Sequence, residues 1–351
     1  MKRSLALLLA LLFCLAAFAA CGVGETSKPT AQPSAPDAPS ATEAPSEAPT
    51  LPLEPNVTVR VGAMTGPTGI GMVKMMETYK ASDAYDFTVK TAADQLSPML
   101  LQGELDAAAV PANLAAILYN KSQGKIRVAA INTLGVLSIL ERGESIKTLA
   151  DLRGKTVHML STAKGSVPEY TLRYLLAQNG VDADKDITFV WKSQQEILAD
   201  LNKGTATVAL LPQPAATAAM VQIEGLRKAI DLGEAWDALD TSAQSVTGVL
   251  VVRAGFAEEH PQAYARLLED YEASINYVKA NVDEVAPLVE EYVGIKAPIA
   301  KKAIPSCSLT YIDGNEMKEV LSSYLNVLYE QDSKAVGGQL PDSAFYLGAD
   351  N

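Results

Sequence analysis

From residue 57 to residue 211, strand-like and helix-like segments alternate, and the same order is run through twice. Parallel strands need a crossover long enough to hold a helix, so this alternation constrains the chain to α/β layers. Residues 57–63 read VTVRVGA, apolar and polar in turn as a strand requires. The glycine-rich stretch GPTGIG (66–71) then leads into a predicted helix over 72–80. Strands are predicted at 86–91, 106–110 and 126–131, with helices near 95–102 and 113–121 between them. A second unit starts from the connecting stretch 134–140 and LADLRGKTV (149–157), and its first strand ends at His158. The loop 161–166 precedes a helix over 167–179, whose Pro168 suits a first turn. A strand at 187–191, a helix at 195–202 and a strand at 207–211 complete the repeat. Residues 246–252 (TGVLVV within them) read as a strand leading back, and 260–329 is rich in amphipathic helices. Two lobes joined by two crossing stretches is the simplest arrangement.

The N-terminus constrains location rather than fold. Lys2 and Arg3 precede an apolar run over 4–18, too short for an ordinary membrane span. Ala19, Ala20 and then Cys21 follow. That order resembles a bacterial lipoprotein signal, in which residues 1–20 are removed and Cys21 becomes the lipidated N-terminus. Phe18 stands where such signals usually carry Leu. A plain secretory peptide with an incidental cysteine is the alternative reading. Residues 21–55 are dominated by Ser, Thr, Ala, Glu and Pro, a composition that buries too little apolar surface to offset ordering entropy. About thirty such residues at about 3.1 Å each reach up to roughly 90 Å, enough to tether a folded domain above a membrane.

Charge excludes one class of partner. The 351-residue chain carries a formal net charge of −12, and loss of Lys2 and Arg3 with the signal makes it −12 − 2 = −14. Nucleic-acid binding rests on Lys and Arg neutralising phosphates, so it is not expected here. Beyond Cys14 and Cys21 only Cys307 remains, which leaves no disulfide within the folded region, and His158 and His260 are the two histidines.

Five stretches carry a family resemblance, in the family's order. They are GPTGIGMVKMM (66–76), LLQGELDAAAVPANLAA (100–116), SIKTLADLRGKTVHM (145–159), KGSVPEYTLRYLLAQNGVD (164–182) and SQQEILADLNKGTATVALLPQPAAT (193–217). The folded region resembles the solute-binding proteins of ABC importers, in the group handling nitrate, sulfonates, taurine and thiamine precursors. The resemblance implies a two-lobed periplasmic-binding-protein type II fold, each lobe a mostly parallel sheet flanked by helices, with a ligand cleft between. It places 56–138 and 248–351 in the first lobe and 139–247 in the second. It further implies an extracytoplasmic, lipid-anchored monomer that delivers a small polar or anionic solute to a permease, without enzymatic activity, cofactor or metal. LxxGxxD (Leu100 to Asp106) and LxxGxxxxAxLP (Leu201 to Pro212) sit at equivalent places in the two lobes, with Thr207 where the second copy usually has an acid.

Ligands of open α/β sheets lie beyond the carboxyl ends of strands. There the first lobe offers Thr65, Gly66, Thr68 and Gly69, with Pro111 and Asn113 after the DAAAV strand. The second offers Lys164, Gly165, Ser166 and Gln213. Backbone N–H groups at helix starts favour an anionic or strongly polar ligand. Ordinary βα turns use the same residue types, so the pattern alone leaves both readings open. Trp191 and Trp236 are candidates to stack on a ligand ring, or core residues; Glu169 and Tyr170 either face the cleft or cap and pack their helix.

Other chemistry finds little material. Ser161 to Lys164 matches S-x-x-K, but no K-T-G follows. Asp182, Asp184 and Asp186 begin like a calcium loop, yet Ile187 and Ser193 stand where Gly and Glu are required. An enzyme resembling the related thiamine-pyrimidine synthases remains an alternative, as does an extracytoplasmic ligand sensor. The former needs histidines and a cysteine-rich motif that two histidines and one body cysteine do not supply.

Overall fold

A computed structural model describes residues 51–239 and 243–350. The signal, Cys21 and most of the linker lie outside the described residues. Among the described residues, eleven strands alternate with helices. The first four are β1 (Val59–Met64), β2 (Tyr85–Lys90), β3 (Ala107–Pro111) and β4 (Ile126–Leu134). Next come β5 (Leu137–Arg142), β6 (Thr156–Leu160), β7 (Thr188–Lys192), β8 (Val208–Pro212) and β9 (Leu226–Asp231). The chain then returns through β10 (Val246–Arg253) and ends its strands at β11 (Leu309–Ile312).

Two sheets result. The first has the order β11-β4-β10-β3-β1-β2 and the second β7-β6-β8-β5-β9. In the first, β1 to β4 run one way and β10 and β11 the other. In the second only β5 runs against the rest. Each sheet is thus mixed rather than mostly parallel: neighbours pair in parallel along β3-β1-β2 and β7-β6-β8, and antiparallel around the crossing strands β10 and β5 and at β11. Central strands covered on both faces need no polar alternation. Accordingly Ala107 to Val110 are fully buried, as is the run Val249 to Val252.

Strands β9 and β11 have no counterpart in the sequence reading. Leu226–Asp231 (LRKAID) is half-buried and charged, an edge strand whose pattern resembles a helix turn. The C-terminal helix Gly314–Gln331, expected with the first lobe, packs on both lobes: on the helix Ala112–Ser122 and β4, and on the helix Val167–Gln178.

The two LxxGxx motifs occupy matching places. Leu100 and Leu201 are buried, and Gly103 and Gly204 end their helices at φ 76° and 77°. Only glycine takes that left-handed conformation freely. Beside each lies an arginine from the end of an antiparallel strand: Arg253 N–H donates to Asp106 O at 2.9 Å and Arg142 N–H to Thr207 O at 2.8 Å. The backbone is therefore the same whichever residue follows. In the first lobe Asp106 also accepts from Arg60 Nε at 2.9 Å and from Arg253 at 2.8 Å. In the second, Arg142 donates instead to the Leu201 and Asn202 carbonyls at 2.9 and 2.7 Å. Thr207 replaces the acid without leaving a guanidinium unpaired.

Candidate functional site

Strand register places the carboxyl ends of both sheets at the two crossings. Pro111, the last residue of β3, lies opposite Gly248 near the start of β10. Pro212, the last of β8, lies opposite Leu137 at the start of β5, and the next amide, Gln213 N–H, donates to Val136 O at 2.9 Å. The chain passes from one sheet to the other at Gly135–Val136 and comes back just before Val246. Loops after β1, β3, β6 and β8 thus gather where the lobes join.

On the first lobe, Thr68 and Gly69 are buried and Thr65 is exposed, its N–H donating to Lys90 O at 2.8 Å. Gly66 has φ 133°, which lets the chain turn sharply out of β1. Thr68 lies against the crossing strand: a Cβ on Gly248 would come within 2.9 Å of its methyl carbon and 2.5 Å of Asn132 Oδ1. Gly69 is equally confined, since a Cβ there would stand 2.5 Å from Met64 O. Gly69→Ala is therefore expected to push this turn away from β1 and cost about 1–3 kcal/mol in stability, a shift that thermal unfolding would register.

Several predicted polar groups are already committed. Asn113 donates to Ala335 O at 3.2 Å and so pins the C-terminal segment. The Ser166 hydroxyl donates to Ala163 O at 2.9 Å. Gln213 is buried, and its Oε1 accepts from Thr217 Oγ at 2.7 Å. Lys164 and Gly165 line an open groove of about 900 Å³, together with Glu169, Tyr170, Arg173 and Asp332. Glu169 closes the loop: one oxygen accepts Gly165 N–H at 2.7 Å and the other Arg173 Nε at 2.7 Å. Glu169 thus ties down the loop before its own helix and also lines the groove. Tyr170 OH donates to Asp332 Oδ2 at 3.0 Å, and burial together with that carboxylate pushes its phenol up to about 12.

The first-lobe turn does not line the groove that holds Lys164 and Gly165. Both tryptophans fall on the core side. Trp236 is fully buried, with Nε1–H donating to Ala243 O at 2.7 Å; Trp191 is half-buried, tilted against Phe189 at 5.9 Å. The histidines and the body cysteine stand apart. His158 Nδ1 lies 3.3 Å from Val208 O, His260 pairs with Glu54, and burial pushes the Cys307 thiol up to about 12. Asp182 caps a short turn by accepting from Asp184 N–H at 3.0 Å.

A profile of the NMT1-like family matches residues 52–289. The chain belongs to the NMT1-like family. A nitrate/nitrite binding protein, NrtA of Synechococcus elongatus, is 24% identical over 215 residues, 60% of this chain. The match spans 46% of that relative, so the chain covers about half of its length. An ABC transporter structure from Parabacteroides distasonis has a TM-score of 0.69 at 25% identity, covering 82% of this chain and 98% of its own. The aliphatic sulphonate binding protein SsuA of Escherichia coli gives 0.65 at 19%, covering 81% and 93%. The two-lobed periplasmic-binding-protein fold expected from the sequence is the one found.

In this NMT1-like chain the sequence reading passed over Asn132. It is buried, its Oδ1 accepts from Thr133 Oγ at 2.9 Å, and its Nδ2 has no hydrogen-bond partner among the described residues. A polar Asn-Thr pair inside the apolar run IRVAAINTL was the signal available.

Proposed function

We propose that this NMT1-like protein is the extracytoplasmic solute-binding component of an ABC importer, anchored through Cys21. It captures a small polar or anionic solute at the interlobe loops and hands it to the membrane subunits of the permease. The convergence of strand ends from both sheets on the two crossings carries this reading, because a solute held there touches both lobes at once. The names of the relatives, a nitrate/nitrite binding protein and a sulphonate binding protein, support the solute class. Thr65, Gly66, Thr68, Gly69, Pro111, Asn113, Lys164, Gly165, Ser166 and Gln213 frame the site.

Only a ligand with different affinity for open and closed lobes shifts their equilibrium. A thermal-shift screen of nitrate, sulfonates and pyrimidines over the full-length protein in detergent tests the role. A true solute at a hundred times its Kd should add about 2.7 kcal/mol of stability. X-ray scattering with that solute should then give a smaller radius of gyration, and unchanged curves would count against a hinged capture.

The anchor has its own test. Mature protein should carry lipid on Cys21 by mass spectrometry, and Cys21→Ala should release it from the membrane fraction. Retention of that variant would sink the anchor while leaving solute binding intact.

A further inference from the structure

The last residues of the linker are bound to the first lobe, beside the helix Pro261–Ala280. Glu54 supplies a cap that this helix lacks. His260, at the N-cap, makes no capping hydrogen bond of its own, while Glu54 Oε2 accepts Ala263 N–H at 3.1 Å and Oε1 lies 3.0 Å from His260 Nδ1. Gln262 Nε2 donates to Pro52 O at 3.2 Å. Leu51 N–H donates to Glu269 Oε2 at 3.2 Å, and its carbonyl accepts from Arg266. Partners at 262, 266 and 269 lie three and four residues apart, so residues 51–54 follow one side of the helix, antiparallel to it.

The holding groups belong to the lobe's interior. Arg266 Nε donates to Asp270 at 2.9 Å, and a second guanidinium nitrogen donates to Tyr79 OH at 2.5 Å. Asp270 is 4% exposed and also accepts from the Tyr79 and Tyr85 hydroxyls. Arg266 is thus fixed by buried partners and presents its remaining N–H to the Leu51 carbonyl. Leu53 is 40% exposed, so hydrogen bonds rather than apolar burial hold the segment.

Topology gives the direction. Strand β10 ends at Arg253, beside the amino ends of β3 and β4, at the pole away from the interlobe loops. The helix sets out from there and climbs to the other end, where Ser274 Oγ donates to Gly71 O at 2.7 Å just after the turn that leaves β1. Thirteen residues separate Pro261 from Ser274, about 20 Å of helix. Leu51, level with Arg266 and Glu269, stands about 10 Å short of Ser274.

Resting on the anchored role proposed above, we infer that residues 51–54 are a strap that fixes where the tether leaves the receptor. The tether is then the 30 residues from Cys21 to Thr50. It departs toward the end that bears the interlobe loops, which is the end that must meet the permease. The strap brings its exit within about 10 Å of that end, where an exit at the pole would stand about 20 Å away.

Double electron–electron resonance on the full-length protein in detergent tests the strap. A Cys14→Ala/Cys21→Ala background makes the result independent of the lipid, and Cys307 is buried. One nitroxide sits on Thr50→Cys, the other on Lys279→Cys beyond Ser274 or on Glu104→Cys at the pole; Lys279 and Glu104 are both exposed. Each pair should give one narrow distance. Glu54→Ala with Gln262→Ala should at least double the width of both distributions and lengthen the distance to Lys279. In the same variant the Ala263 amide should exchange about fivefold faster, as for an ordinary lost cap, while β1 is unchanged. Leu53→Ala, which removes no strap hydrogen bond, should alter neither reading. Broad distributions in the parent, or distances that Glu54→Ala with Gln262→Ala leaves unchanged, overturn the strap. Either result leaves the anchor to mass spectrometry of Cys21 and the solute-binding role to the thermal-shift screen.

Discussion

Asp106→Ala is expected to lower the unfolding free energy by about 2–3 kcal/mol at pH 7. The Asp106 carboxylate is 3% exposed and accepts from Arg60 N–H at 3.0 Å, from both ends of the Arg60 guanidinium and from Arg253. Its removal leaves two guanidiniums facing each other and one strand amide without its acceptor. Fully buried pairs cost more to break, but the arginine side chains are 38% and 30% exposed, so water recovers part of the loss.

The same pair fixes the pH dependence. Burial would raise the Asp106 carboxyl, but the bonds from Arg60 and Arg253 outweigh it and hold the group below the usual carboxylate range. A depressed folded-state value means stability that is present above the unfolded value, about 3.9, and lost as pH falls through the folded one. The difference between parent and Asp106→Ala in urea melts should therefore be full at pH 6 to 7 and shrink below about pH 4. A pH-independent difference would mean that shape, not charge, makes the contribution.

Much of the fold was legible because each lobe repeats one local pattern. β1, β3, β6 and β8 lie where apolar runs and glycine-bearing turns placed them, and the helix Val167–Gln178 starts at the proline that marked it. The edge strands were not legible, since Leu226–Asp231 gains its strand form from pairing with β5 rather than from its own residues. The site was legible as loops but not as hydrogen bonds. Sequence position put Ser166, Asn113 and Gln213 at strand ends, but each hydroxyl or amide found a partner contributed by local geometry or by a segment far along the chain, as Asn113 does with Ala335. Glu169 shows the same limit: four residues from Gly165 it reads as a cap or as a cleft residue, and it both ties the Gly165 amide and lines the groove.

Trp236→Ala is expected to be the most damaging single truncation, at about 3–5 kcal/mol. The indole is fully buried, with ring centroids 4.6 Å from Tyr174 and 5.6 Å from Tyr324. Aromatic pairs of this geometry add about 0.5–1.5 kcal/mol beyond the area they bury, and the Ala243 carbonyl loses its donor as well. Tyr324 belongs to the helix Gly314–Gln331, which also packs on β4 of the first sheet, whereas Tyr174 belongs to the second lobe. Trp236 is thus the wedge between a second-lobe helix and a helix tied to both lobes. Its loss should loosen that seam as well as lower stability, so amide exchange should quicken in both helices more than in β1 or β3. Trp236→Phe restores the ring contacts but not the N–H donor, and it should recover more than half of the loss. Should Trp236→Ala cost less than about 1 kcal/mol, or quicken exchange evenly across both sheets, the seam does not depend on this indole.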